Sequence, residues 1–210
     1  MKIAVIGASG KAGRLIVDEA IARGHEVTAF VRDANKVTNK DALVFESDLF
    51  DLKSEDLVGF DSVVDAFGFF GEDQTVHVTS LNHIANLVAE TPTRLLVVGG
   101  AGSLYVDEAL TTQLMQTEGF PEAYLPMASN MGKALDQLRE RADVKWTYVS
   151  PAADFRADGI RTGSYTLAGE VLTLNSQNES TISYADYAIA MVDEIEQAHH
   201  IQKRISVVSK

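Results

Sequence analysis

The sequence contains no cysteine, so neither a disulfide framework nor thiol chemistry is open to it. No apolar stretch approaches the length of a membrane span. The first residues run straight into a strand-like segment, without the charged and hydrophobic regions of a secretory signal. These absences lead us to expect a cytoplasmic protein that crosses no membrane. Positive charge is also scarce: 18 Lys and Arg stand against 30 Asp and Glu, a formal net charge of −12. Phosphate backbones need a basic face, so nucleic acid is excluded as a general partner, and any anion must be held by a local arrangement. The histidines, at positions 25, 77, 83, 199 and 200, show no ligand spacing with a nearby carboxylate, and no metal is assigned.

What the chain does have is an organised beginning. Ile3, Ala4, Val5 and Ile6 form an apolar run too short for a helix. It is closed by Gly7-Ala8-Ser9-Gly10-Lys11-Ala12-Gly13, after which Ala12, Leu15, Ile16 and Ala20 fall at helical spacing. In a strand–turn–helix of this kind Gly7 allows the tight exit from the strand, Gly10 lets an anion approach the backbone, and Gly13 lets the helix pack close to the sheet. The N–H groups of the first helical turn have no intrahelical acceptor and lie at the positive end of the helix dipole, so they suit a pyrophosphate. A triphosphate loop is disfavoured, because Ala12 stands where Ser or Thr would hold magnesium and Val5 where the leading glycine belongs. The expected ligand is a dinucleotide.

The rest of the chain continues the alternation. The first helix runs to about Arg23 and stops at Gly24. Strands are expected at Val27 to Val31, Leu43 to Phe45, Ser62 to Ala66, Arg94 to Val98, Trp146 to Val149 and Ile205 to Val208. Helices are expected at Ser54 to Val58, Thr75 to Ala89, Ser129 to Arg141 and Tyr184 to Ile195. This pattern predicts an α/β fold, a Rossmann-like doubly wound parallel sheet with helices on both faces. At 210 residues and 46% hydrophobic content it predicts one domain over 1–210, with a small substrate-side region at about 151–183.

Beyond the glycine-rich turn, the segments Phe30-Val31-Arg32-Asp33, Asp48-Leu49, Val97-Val98-Gly99-Gly100-Ala101-Gly102-Ser103, Ser150-Pro151-Ala152, Arg161-Thr162-Gly163 and Ile182-Ser183-Tyr184-Ala185-Asp186-Tyr187 carry a resemblance. Over nearly its whole length the chain resembles an atypical short-chain dehydrogenase/reductase. The group it is similar to is the small NAD(P)H-binding one that includes putative NADH-flavin reductases and biliverdin IXβ reductase/flavin reductase. The resemblance implies that Gly7, Ser9, Gly10, Lys11, Ala12, Gly13 and Gly99 bind the cofactor. It places Asp48 and Leu49 beside the adenine, Ala66, Phe67 and Gly68 along the cofactor's middle, and Pro151 and Ala152 near the nicotinamide.

The chain departs from the large superfamily in one respect that bears on mechanism. That superfamily uses a tyrosine with a lysine four residues later as its proton donor, and here no tyrosine has such a lysine. Lys133 falls on the expected helix, but four residues before it stands Ser129, a much weaker acid than a phenol. The remaining candidates for direct participation are Ser103, which either polarises a substrate or shapes the loop, Tyr124, which either meets substrate or packs on its neighbours, and Lys133, which is left a role at the nicotinamide ribose. A flavin or quinone takes hydride and draws its proton from water, so a planar small-molecule acceptor of that kind is expected. The alternative is a non-catalytic NAD(P)-binding redox sensor resembling NmrA-like regulators; a sugar-nucleotide epimerase, which would need the Tyr/Lys pair, comes third. The segment 103–129 is expected to form either a wall or lid of the site or a homodimer surface. Finally, the strand that ends at Val31 delivers Arg32 before Asp33, with Lys11 and Lys36 able to approach, which favours NADP(H) over NAD(H).

Overall fold

The computed structural model describes residues 1–210. Along the chain the elements are β1 (Lys2–Ile6), α1 (Lys11–Ala22), β2 (Glu26–Val31), β3 (Leu43–Glu46), β4 (Ser62–Asp65), α2 (Val76–Leu87), β5 (Arg94–Val98), α3 (Leu125–Arg139), β6 (Lys145–Ser150), β7 (Asp154–Arg156), β8 (Tyr165–Ala168), β9 (Thr181–Ser183), α4 (Tyr184–Gln197) and β10 (Lys203–Ser209). The main sheet has the order β3-β2-β1-β4-β5-β6-β10-β8. All its pairings are parallel except β8 with β10. This is the expected Rossmann-like α/β fold, and the strand order reverses between β1 and β4, which opens a crevice at their carboxyl ends.

Alternation along β1 builds both faces at once. Ile3 and Val5 point into the core under α1 and α4, whereas Ala4 and Ile6 point into the core under α2 and α3. A strand buried on both sides reads as a continuous apolar run, as this one does. Tyr187 of α4 is completely buried and donates its hydroxyl to the Val149 carbonyl at 2.7 Å, which fixes α4 against β6. No helix is long and apolar enough to cross a membrane.

The structure corrects the sequence reading in several places. The sheet is not wholly parallel: β8 returns along β10 as an antiparallel edge strand, which needs no crossover helix. The strands β7 and β9 escaped notice because they span only three residues each, and β8 because its four residues show no alternation of buried and exposed positions. The residues at Ser54–Leu57 form a 3₁₀ turn rather than an α-helix. The helix expected from Ser129 begins four residues earlier, at Leu125, with Pro126 in its first turn. Proline is tolerated there because the missing N–H would have no helical acceptor in any case. Ser129 is therefore an exposed residue within α3 and not its first.

Candidate functional site

The glycine-rich turn has the shape its sequence requires. Gly7 takes a positive φ of +78°, and a Cβ on it would lie 2.7 Å from the Ala66 carbonyl oxygen, so the end of β4 abuts the turn directly. Gly7 N donates to Phe30 O and Gly10 N to Gly7 O. Gly13 plays a different part from the one expected. The close approach it permits is to the turn itself, because its Cβ would stand 2.4 Å from Gly7 O and 3.0 Å from the Ala8 Cα. Gly10, at the N-cap of α1, is exposed, and a Cβ there meets only Gly7 O at 3.1 Å. The N–H groups of Lys11, Ala12 and Gly13 donate to no carbonyl of the chain, and the side chains of Ser9 and Lys11 are exposed at the rim. A cradle of free N–H donors with open space above Gly10 fits a pyrophosphate.

At the β2 end of the crevice Arg32 is exposed and makes no ion pair or hydrogen bond within the chain. Asp33 is committed locally: its carboxylate accepts from Asn35 N at 3.0 Å and caps the turn Ala34–Lys36, with the Lys36 ammonium 3.9 Å away. Asp48 caps the next turn by accepting from Phe50 N at 3.0 Å, and Leu49 beneath it is buried. Along the middle of the crevice run Ala66, Phe67 and Gly68, with Phe67 N donating to Asp65 Oδ1 at 3.0 Å. The imidazole Nε2 of His77, on α2, lies 3.1 Å from Phe69 O, where its N–H can donate. Burial pushes the Asp65 carboxyl up to about 7 and pushes His77 below its ordinary value.

The far end of the crevice is formed by the loops after β5 and β6. Gly99 is buried and leaves no room for a side chain, since a Cβ would stand 2.1 Å from the ring of Tyr148, whose hydroxyl accepts from Gly100 N at 3.2 Å. Burial raises the Tyr148 phenol to about 12, so it is neutral and fixed. Pro151 and Ala152 are buried at the end of β6. Ser103 is brought against Gly132 of α3, but its hydroxyl oxygen accepts from Arg204 Nη1 at 3.1 Å and its carbonyl from Arg204 Nη2 at 3.1 Å. Lys133 is exposed on α3 without a partner in the chain, and Tyr124, just before that helix, is 51% exposed. The substrate-side region is pinned beside α4, where Asp186 accepts from Thr162 N and Gly163 N at 2.9 Å each, while Arg161 pairs with Glu19 of α1 at 2.7 Å.

Sequence reasoning missed Asp65, His77, Tyr148 and Arg204. Asp65 had a visible signal, a carboxylate ending the buried run Val63-Val64. Arg204 had none, since it lies 101 residues from Ser103. Two histidines do have carboxylate partners, contrary to the sequence reading: His25 lies 2.8 Å from Glu196 and His200 2.7 Å from Glu194. Each is a single pair across α4 or its end, and neither belongs to a cluster of three possible ligands.

Residues 7–198 match a family model described as NAD(P)H-binding. The uncharacterized protein YwnB of Bacillus subtilis is 50% identical over 211 residues, which span 100% of this chain and 99% of that one. A putative NADH-flavin reductase from Streptococcus pneumoniae superposes with a TM-score of 0.96 at 52% identity, covering 100% of both chains. A putative epimerase from Bacteroides thetaiotaomicron superposes with a TM-score of 0.86 at 36% identity, covering 99% of this chain and 96% of that one.

Proposed function

Since the chain belongs to the NAD(P)H-binding family, we propose that it is an NAD(P)H-dependent oxidoreductase that passes hydride to a planar acceptor such as a flavin or quinone. The observation that supports this reading is a turn of free N–H donors that fits a pyrophosphate, beside a helix that carries no tyrosine four residues before its lysine. Lys133 and Ser129 are both exposed on α3, no tyrosine stands four residues before the lysine, Tyr187 donates its hydroxyl internally to Val149 O, and burial pushes the Tyr148 phenol up to about 12. When bound, NAD(P)H supplies the hydride, and an acceptor of this class takes its proton from water.

The residues divide the work as follows. The free N–H groups of Lys11, Ala12 and Gly13 hold the pyrophosphate. Asp48 and Leu49 lie along the adenine, Ala66, Phe67 and Gly68 along the middle, and Gly99, Pro151 and Ala152 wall the nicotinamide. Ser103 acts through loop shape, because its hydroxyl oxygen already accepts from a buried guanidinium. The acceptor stacks between the 103–129 segment, where Tyr124 offers an exposed ring, and the 151–183 region of this single domain. Orientation of the two rings supplies most of the rate. The name of the S. pneumoniae relative, with which this chain shares 52% identity, supports the flavin choice.

The missing tyrosine–lysine pair is also what a non-catalytic redox sensor would show. Steady-state assay separates the two: purified protein should oxidise NADPH when flavin or quinone is added. Cofactor binding without oxidation across a broad acceptor panel would favour the sensor.

Two variants test the assignments at the cofactor's ends. Arg32 is the exposed, unpaired cation at the end of β2, and Asp33 is occupied by its turn, so we assign Arg32 to the 2′-phosphate and NADP(H) as the preferred cofactor. Arg32→Ala should weaken NADPH binding by about 1.5–3 kcal/mol, roughly ten- to a hundredfold, and leave NADH binding nearly unchanged; titration of both cofactors checks it. Equal loss for the two would overturn the assignment. Lys133→Ala should act mainly on cofactor affinity, since no phenol depends on it. Turnover should fall less than roughly tenfold, against the 10²–10⁴ that general acid catalysis contributes. A thousandfold fall would mean that Lys133 tunes a proton donor after all.

A further inference from the structure

We infer that binding of NAD(P)H is coupled to uptake of a proton by Asp65, the buried carboxyl that ends β4 one strand away from the phosphate cradle. The inference rests on the cofactor site described above and adds a linked ligand, the proton, to it.

The placement is set by the sheet. Asp65 is the β4 partner of Ile6, and Gly7 begins the cradle. Ala66, the next residue, donates its N–H to Ile6 O at 2.9 Å and its carbonyl faces the Gly7 Cα. The Asp65 side chain is 5% exposed and turns toward the layer of α2 and α3, where it receives one hydrogen bond, from Phe67 N. No arginine or lysine pairs with it. The groups around it are Val97 of β5, His77, Ser80 and Leu81 of α2, and Met131 and Ala134 of α3, which enclose a cavity of about 20 Å³. A water needs roughly 10–15 Å³, so the cavity has room for one beside the carboxyl.

The titratable groups that face Asp65 are His77 and the Tyr148 phenol on β6. Neither carries charge near neutrality. Burial pushes His77 down and so keeps it neutral even at its ordinary pKa, and it pushes Tyr148 up to about 12. Asp65 itself is pushed up to about 7, so at neutral pH it is divided between its two forms before any ligand arrives. A pyrophosphate brought to the cradle adds negative charge one strand away from Asp65, whose β4 partner Ile6 precedes Gly7, and a nearby like charge disfavours the ionised carboxyl. The protonated fraction therefore rises on binding. By linkage the effect is reciprocal: cofactor binding draws a proton onto Asp65, and loss of that proton at higher pH weakens cofactor binding.

The experiment is calorimetry of NADPH and NADH binding at pH 8 in buffers of different ionisation enthalpy, with dissociation constants measured from pH 6.5 to 8.5. The wild-type protein should take up roughly half a proton per cofactor and bind about five- to tenfold more weakly at pH 8.5 than at pH 6.5. The 2′-phosphate of NADPH does not mimic this: with a second pKa of about 6 it is already ionised at pH 8, and NADH lacks it. Asp65→Asn keeps an acceptor for Phe67 N and should abolish both the uptake and the pH dependence. His77→Gln, which retains a donor toward Phe69 O, should leave the uptake intact. Zero uptake in the wild type, uptake that survives Asp65→Asn, or uptake lost in His77→Gln would each overturn the coupling. Absence of binding by either cofactor would instead remove the cofactor site itself, and the coupling with it.

Discussion

Gly10→Val should abolish NAD(P)H binding and leave a folded protein. The position is exposed at the N-cap of α1, and a Cβ there meets only Gly7 O at 3.1 Å. A branched side chain fills the space over the free N–H groups of the first turn, and the pyrophosphate loses hydrogen bonds worth about 1.5–3 kcal/mol each when the acceptor is charged. Losing two of them weakens binding on the order of a hundred- to ten-thousandfold. The cost to the fold is that of a poor N-cap, about 1 kcal/mol. Gly13→Ala makes the contrast. Its Cβ would press on Gly7 O from 2.4 Å, so the turn itself must move, and affinity and thermal stability should fall together. Calorimetry beside thermal unfolding reads both variants; a Gly10→Val protein with wild-type affinity would remove the premise of the site.

At the opposite end of the sheet, Arg94→Met should lower the stability of the protein by about 3–5 kcal/mol. Arg94 begins β5, is 7% exposed, and donates to Glu194 Oε1 at 2.9 Å, to Thr147 Oγ1 at 3.1 Å and to the Glu194 carbonyl at 2.8 Å. Glu194 is 4% exposed and also accepts from His200 N at 3.0 Å. Taking away the guanidinium leaves the buried carboxylate with only His200, whose Nδ1 lies 2.7 Å from it, and the end of α4 without a donor for its carbonyls. The double variant Arg94→Met/Glu194→Gln should recover part of the loss, because it removes the stranded charge. Urea unfolding checks this, and a fall below about 1 kcal/mol would mean that the pair behaves as an exposed ion pair. Cofactor affinity should be unchanged in both variants, since the site lies at the carboxyl ends of the strands.

The parts of this molecule legible in its sequence are those encoded over short distances. The run Ile3 to Ile6, the glycines at 7, 10 and 13 and the helical spacing after them each follow from local geometry, so the strand, turn and helix fall where the sequence places them. Gly13 was legible as a site of close approach but not as to its neighbour, because its contact with Gly7 O depends on how the turn closes. The start of α3 was misjudged since Pro126 reads as a breaker unless it is known to stand in a first turn. The strands β7 and β9 are too short for an alternating pattern to show, and β8 has none. What no local pattern could reveal is pairing across the chain: Arg204 with Ser103, His77 with the Phe69 carbonyl, and the burial of Asp65 without a cation. These decide which candidate residues are free to act. Ser103 is a candidate by its loop alone, and only the fold shows its oxygen accepting from a guanidinium.

The most direct test of the account is anaerobic rapid mixing of the protein–NADPH complex with oxidised flavin. The account predicts that the reduced nicotinamide and oxidised flavin absorbances decay together, one equivalent of each. The rate should carry a primary isotope effect with NADPH deuterated at the transferred position. Flavin reduction no faster than in the absence of protein, with NADPH demonstrably bound, would contradict it.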